Sequence, residues 1–151
     1  MPNTSNIIAQ NEAWHSVLNH NILIVWKPAY NLGIPIVDEQ HRGIVSTINS
    51  LCFAIQNKQG NEMLRPVMSM VTEYTRIHFE LEEGFLQKCG YPNLEAHRAL
   101  HKELTQELSH FESGVSWNKD PQEFLDFLKR WWINHICKED LVFTNYLTNK
   151  K

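Results

Sequence analysis

Four stretches of the chain carry apolar residues three and four positions apart over several turns, and in each one a histidine or a carboxylate interrupts the apolar face. Such a pattern requires helices packed around a core that is not wholly hydrophobic. The first stretch runs from about Val37 to Lys58, with Ile44, Val45, Ile48, Cys52 and Ile55 on the stripe of His41, and Gly60 and Asn61 read as its end. In the second, Val67, Met68, Val71, Tyr74, Thr75, His78, Leu81, Glu82 and Phe85 share one face, and Pro66 leaves its first turn open. After the turn at residues 90–93 (GYPN), Asn93 can cap a third helix that carries His97, Leu100, His101, Leu104, Leu108 and Phe111 inward and closes at Gly114. Asp120-Pro121-Gln122-Glu123 then combines an N-cap acid, a proline at the first helical position and a capping-box glutamate. The fourth helix it opens carries Phe124, Leu128, Trp131, Trp132, His135, Ile136, Asp140, Phe143 and Leu147. Short connections between long amphipathic helices predict an all-α fold, an antiparallel up-and-down four-helix bundle. An N-terminal arm of about 36 residues with Pro28, Gly33 and Pro35 precedes it.

Composition narrows the function classes. With 151 residues the chain is the size of one domain, and a formal charge of −3 supplies neither a basic footprint for nucleic acid nor a polybasic membrane patch. The first residues lack the charged and apolar regions of a signal peptide, and no apolar run is long enough to span a bilayer, so a cytoplasmic protein is expected. Cys52, Cys89 and Cys137 show no metal-ligand spacing and are read as small, buried, reduced thiols. His15, His20 and His110 lie in the arm or near a helix end and are expected to be exposed.

The inward histidines and carboxylates are the informative residues. One histidine on an apolar stripe is commonly a hydrogen-bonded core residue. Five of them together with Glu82 and Asp140, buried without compensation, would cost several kcal/mol per carboxylate and roughly 1 to 3 kcal/mol per imidazole, more than a domain stable by ~5 to 15 kcal/mol can absorb. Positive charge at the centre of the core resolves this, and imidazole with carboxylate and no thiolate is a ligand set suited to iron rather than to structural zinc. If both carboxylates and one solvent oxygen bridge two octahedral ions, five nitrogens and the bridging oxygens leave one of the twelve coordination positions open. That vacancy suits a small ligand rather than a bulky substrate.

One spacing is awkward. His135 and Asp140 are five residues apart, about 140° around an ideal helix rather than the about 40° of a four-residue pair. A π-bulge would bring them together. The unbroken stripe that Ile136, Phe143 and Leu147 make with Asp140 favours instead a regular helix with a wide inner face.

The stretches IVDEQH ending at His41, HFELEE from His78 to Glu83, YPNLEAHRALH ending at His101 and WWINHICKED ending at Asp140 resemble hemerythrin and its bacterial single-domain relatives, over about residues 24 to 148. The resemblance implies a hemerythrin-like bundle over 24–148 preceded by an extension at 1–23, to which no function attaches. It implies a cofactor of two non-haem iron ions with a bridging oxo or hydroxo group. By the same resemblance His97, His101 and His135 saturate one iron, His41 and His78 serve the other, and Glu82 and Asp140 bridge them. The open position then belongs to the second iron, in a ligand pocket made by Ile44, Phe79, Trp131, Trp132 and Ile136. The implied function is reversible binding of dioxygen, as a carrier, store or sensor, with no catalytic residue and no nucleic-acid or membrane partner. A di-iron enzyme that reduces O2, peroxide or nitric oxide is the alternative, as is an iron-handling protein; a third reading has the metal only fixing the bundle. Two residues depart from the family pattern: Trp132 stands where a leucine is expected, and Phe143 where a tyrosine is common.

Overall fold

The computed structural model describes residues 22–113 and 120–149. A 3-10 turn at Pro28–Tyr30 precedes three helices, α1 (Pro35–Gln56), α2 (Gly60–Lys88) and α3 (Leu94–Ser113). The fourth rod begins as α4 (Pro121–Trp131), continues through a π-helical segment (Trp132–Glu139) and ends as α5 (Asp140–Thr148). Contacts along the rods establish the up-and-down order. From α1 to α2, His41 meets His78 while Thr47 Oγ1 reaches Met70 Sδ, so their numbering runs in opposite directions. From α2 to α3, Arg98 reaches Glu83 while Thr72 Oγ1 donates to Glu112. The fourth rod runs parallel to α2, with Pro121 against Gly60 at one end and Tyr146 Oη donating to the Gly90 carbonyl at the other.

Helix starts follow the sequence chemistry. Asp120 caps α4 by accepting from the Gln122 N–H at 2.9 Å, with Pro121 at the first helical position. Pro35 opens α1, and Asp38 in its first turn accepts the N–H groups of Leu32 and Gly33, tying the arm to the bundle. Gly33 sits at φ 80°, left-handed backbone that a side chain would strain. Further back, Ile24 exchanges two hydrogen bonds with the Asn49 side chain.

Several sequence expectations need correction. Gly60 does not end the first helix: α1 stops at Gln56, and Gly60 is the first residue of α2. It is small because Ile55 and Pro121 crowd it; a Cβ there would lie 2.9 Å from Ile55 Cγ1. Pro66 is accommodated inside α2 on its exposed face, where water can satisfy the carbonyl left without its N–H. Leu81 is 47% exposed, because the inward face of α2 centres on Glu82, Phe79 and Leu86 and lies to one side of it. None of the three cysteines is in a disulfide, but only Cys52 is buried; Cys89 at the α2 end and Cys137 in the π-helical segment are half-buried. His110 is exposed, whereas His15, His20 and Gly114 lie outside the described residues. The largest correction concerns the fourth rod. The wide regular helix is replaced by π-helical winding, with the Asp140 N–H donating to the His135 carbonyl five residues earlier. The wider turn brings both side chains to the same inward face, each no more than 3% exposed.

Two apolar clusters fill the bundle. The larger contains Ile44, Ile48, Leu51, Val71, Leu128 and Trp131 among others; the smaller contains Leu32, Val37, Leu86, Tyr91 and Phe143. Each rod passes from one cluster to the other across a polar residue: Val37 to Ile44 across His41, and Ile136 to Phe143 across Asp140. The polar residues form a single layer through the core.

Candidate metal centre

Each rod contributes to that layer because a four-residue spacing keeps two side chains on one helical face. His78 and Glu82 project together from α2, and His97 and His101 from α3; α1 supplies His41, the π-helical segment His135 and the first residue of α5 Asp140. All seven are buried, with His41, His78, Glu82 and Asp140 fully inaccessible.

Their ligand atoms gather into two groups that share both carboxylates. One atom each from Glu82, His97, His101, His135 and Asp140 lie within 4.8 Å of one another, and so do one each from His41, His78, Glu82 and Asp140. Asp140 faces both ways: Oδ1 is 3.3 Å from His135 Nε2 and 3.7 Å from His97 Nε2, while Oδ2 is 3.2 Å from His41 Nε2. Glu82 Oε2 lies 2.9 Å from His97 Nε2 and 3.2 Å from His101 Nε2. Two pairs of imidazole nitrogens also face each other, His41 with His78 at 3.3 Å and His101 with His135 at 3.0 Å. Lone pairs converging in this way need an electrophile between them.

The polar accounting supports the same need. His41 Nδ1, Glu82 Oε1 and both oxygens of Asp140 are buried without a hydrogen bond, leaving Asp140 close to imidazoles but oriented to none. Burial, reinforced by the neighbouring His78 imidazole, pushes the His41 imidazole down to about 3, and burial likewise lowers His78 and His135. These rings are neutral and free to donate a lone pair. The carboxylates diverge. Burial and the charge of Glu82 hold Asp140 well above the usual range, whereas Glu82, against the same burial, is brought below it by the His101 and His97 imidazoles beside it. The cavity tolerates one bare carboxylate but not two, and a cation would let both ionise. Five imidazoles and two carboxylates without a thiolate fit borderline to hard divalent or trivalent ions such as iron.

Two residues that sequence reasoning left unassigned orient the imidazoles. His78 Nδ1–H donates to Gln40 Oε1 at 3.0 Å, and His101 Nδ1–H donates to Glu83 Oε1 at 2.7 Å. Each bond leaves Nε2 as the lone-pair nitrogen facing the cluster. The signal was adjacency, since Gln40 precedes His41 and Glu83 follows Glu82, but which neighbouring helix they meet is a matter of packing.

The five residues expected to form a ligand pocket, Ile44, Phe79, Trp131, Trp132 and Ile136, are all buried in the larger apolar cluster. Phe79 stacks on His101 with ring centroids 3.7 Å apart and meets Trp131 edge-on at 6.3 Å. Trp132 turns toward the arm, against Tyr30 at 5.3 Å and Trp26 at 6.0 Å, and Arg42 lies over the outer Trp26 ring. Phe143 meets His97 edge-on at 5.8 Å and brings no hydroxyl to the centre.

Residues 32–147 match the hemerythrin HHE cation binding domain. The chain is 31% identical over 124 residues to a bacteriohemerythrin of Stenotrophomonas maltophilia, covering 82% of this chain and 80% of the relative. It is 28% identical over 123 residues to a hemerythrin subunit of Sipunculus nudus, covering 82% of this chain and 92% of the relative. Among solved structures it is similar to a hemerythrin point mutant, with a TM-score of 0.67 and 26% identity over 83% of this chain and 97% of that one.

Proposed function

This chain belongs to the hemerythrin family, and from that premise and the donor geometry we propose that it binds dioxygen reversibly at a non-haem di-iron centre. The observation that carries the proposal is the division of seven buried donors into two groups sharing Glu82 and Asp140. His97, His101 and His135 would hold one iron, His41 and His78 the other, and the two carboxylates would bridge them. The opposed oxygens of Asp140 support its bridging role. When bound, the iron pair supplies an open coordination position and the electrons that O2 draws on reversibly.

The protein's own part is to hold and shield that pair. Gln40 and Glu83 fix two imidazoles in the coordinating tautomer. Ile44, Phe79, Trp131, Trp132 and Ile136 form the ligand pocket, excluding bulk water and larger molecules. None of these five side chains ionises, so the pocket has no acid or base to drive turnover, and binding rather than catalysis is its role. We take residues 24–148 as the di-iron bundle and 1–23 as an extension. The two bonds between Ile24 and Asn49 support that boundary. Among the described residues no helix is long and apolar enough to cross a membrane. Three cysteines outside any disulfide support a cytoplasmic carrier, store or sensor of oxygen.

The proposal is tested by metal analysis of the purified full-length chain. Close to two irons per chain are expected, whereas one zinc and no iron would exclude the di-iron reading.

A further inference from the structure

The two groups of donors are supported unequally. His101, in the three-imidazole group, donates its Nδ1–H to the Glu83 carboxylate at 2.7 Å; His78, in the two-imidazole group, donates to the neutral Gln40 amide at 3.0 Å. The other imidazole of the smaller group, His41, has no partner at Nδ1. An anionic acceptor draws the Nδ1 proton more strongly than an amide does and raises the electron density at Nε2. Glu83 is itself braced. Its second oxygen lies 3.3 Å from Arg98 Nε, while the same guanidinium reaches Glu95 at 2.6 Å and Gln87 at 3.2 Å.

We propose that Glu83 is a positioning residue that biases the His97, His101 and His135 position toward the more highly charged ion, with Arg98 setting how strongly it does so. This rests on the di-iron reading. The step concerned is the loss of one electron from a ferrous ion to an added oxidant, ferricyanide, which becomes ferrocyanide; no bond forms or breaks and no proton leaves. The carboxylate, acting through His101, favours the ferric product. Arg98 opposes it by partly neutralising Glu83. Removing the carboxylate charge and removing the guanidinium charge therefore move the equilibrium in opposite directions, which the loss of a merely structural contact would not do.

The experiment is a potentiometric titration of the iron-loaded full chain, with ferricyanide and dithionite as titrants, on the unmodified protein, Glu83→Gln and Arg98→Gln. Glutamine keeps an acceptor for His101, so the tautomer is retained while the charge is lost. A tenfold weaker preference for the ferric ion raises the first one-electron midpoint by about 59 mV, the shift expected for Glu83→Gln. Arg98→Gln is expected to lower it. An unmoved midpoint in Glu83→Gln, or shifts of the same sign in both variants, overturns the proposal. If Glu83→Gln fails to hold metal, Arg98→Gln decides alone: a lowered midpoint supports the proposal, and an unchanged or raised one overturns it. Metal analysis before titration separates the two levels of failure. An unmodified chain without an iron pair sinks the di-iron reading and this inference together, whereas two irons with unmoved potentials sink this inference only.

Discussion

The Asp140 backbone N–H donates to the His135 carbonyl five residues before it, inside the π-helical turn that places both side chains in the metal layer. A π-bulge is equivalent to a regular helix with one residue added, so removing one residue from it preserves the facing of everything on either side. Deleting the exposed Lys138 should leave His135 and Asp140 four apart on one face, with Phe143 still inward. Deleting the exposed Asp126 in α4 should instead rotate all that follows by about 100° and abolish metal binding. Circular dichroism and iron content of the two variants check this. Equal damage from both deletions would mean that the added residue is not a bulge.

Glu82 lies in both groups of donors, so on the proposed assignment its loss removes a bridge and half of the carboxylate charge at once. Glu82→Ala is expected to hold less than one iron per chain, whereas His41→Ala, which touches only one group, should retain at least one. Iron analysis beside absorption spectra distinguishes them. A Glu82→Ala protein with both irons and an unchanged spectrum would contradict the bridging assignment.

Acid should release the metal and unfold the bundle in one transition. His41 titrates ordinarily at 6.5 and in the fold at about 3, so below 6.5 the unfolded chain binds a proton that the folded chain refuses. The stability contributed by the neutral ring is therefore lost as pH falls from about 6.5 toward 3, at roughly 1.4 kcal/mol per pH unit. His78 and His135 act in the same direction, while Asp140, shifted upward, takes up a proton in the fold and offsets part of the loss. Iron absorbance and helical ellipticity followed on one acid titration should fall together. Iron lost well before helicity would show that the ligands titrate within an intact fold.

Trp132 packs against Tyr30 and Trp26 of the arm and in the proposed assignment also lines the pocket, so its truncation should act on both. Trp132→Leu is expected to lower stability by ~1 to 4 kcal/mol through lost packing and to speed azide and O2 binding severalfold by opening the pocket. Stopped-flow kinetics and thermal melts on the same variant check the pair of effects. A lowered melting temperature with unchanged kinetics would make Trp132 a packing residue alone.

The bundle and the seven polar residues that it buries together were legible in the sequence because inward faces follow from spacing along one helix. His78 with Glu82 and His97 with His101 are four apart on apolar stripes, and such an arrangement is costly unless something compensates it. What stayed hidden depends on relations between helices. Gln40 and Glu83 matter through the imidazoles of other rods, and Gly60 through the closeness of Ile55 and Pro121. The π-helical turn was hidden for a different reason: Ile136, Phe143 and Leu147 produce an inward stripe under either winding, and only the requirement that His135 and Asp140 meet decides between them. Leu81 shows the limit of apolar patterning itself, since a stripe drawn one position too wide includes a residue that faces water.

Reversible oxygenation is tested most directly by cycling a single sample. The iron-loaded chain is reduced under anaerobic conditions, exposed to O2, and then stripped of O2 under argon while its absorbance is recorded. The expected result is a spectrum that changes on exposure and returns to that of the reduced protein on removal, over repeated cycles and without net consumption of O2. Consumption of O2 with a permanently oxidised centre would contradict a binding role, and no spectral response at all would reduce the metal to a brace for the bundle.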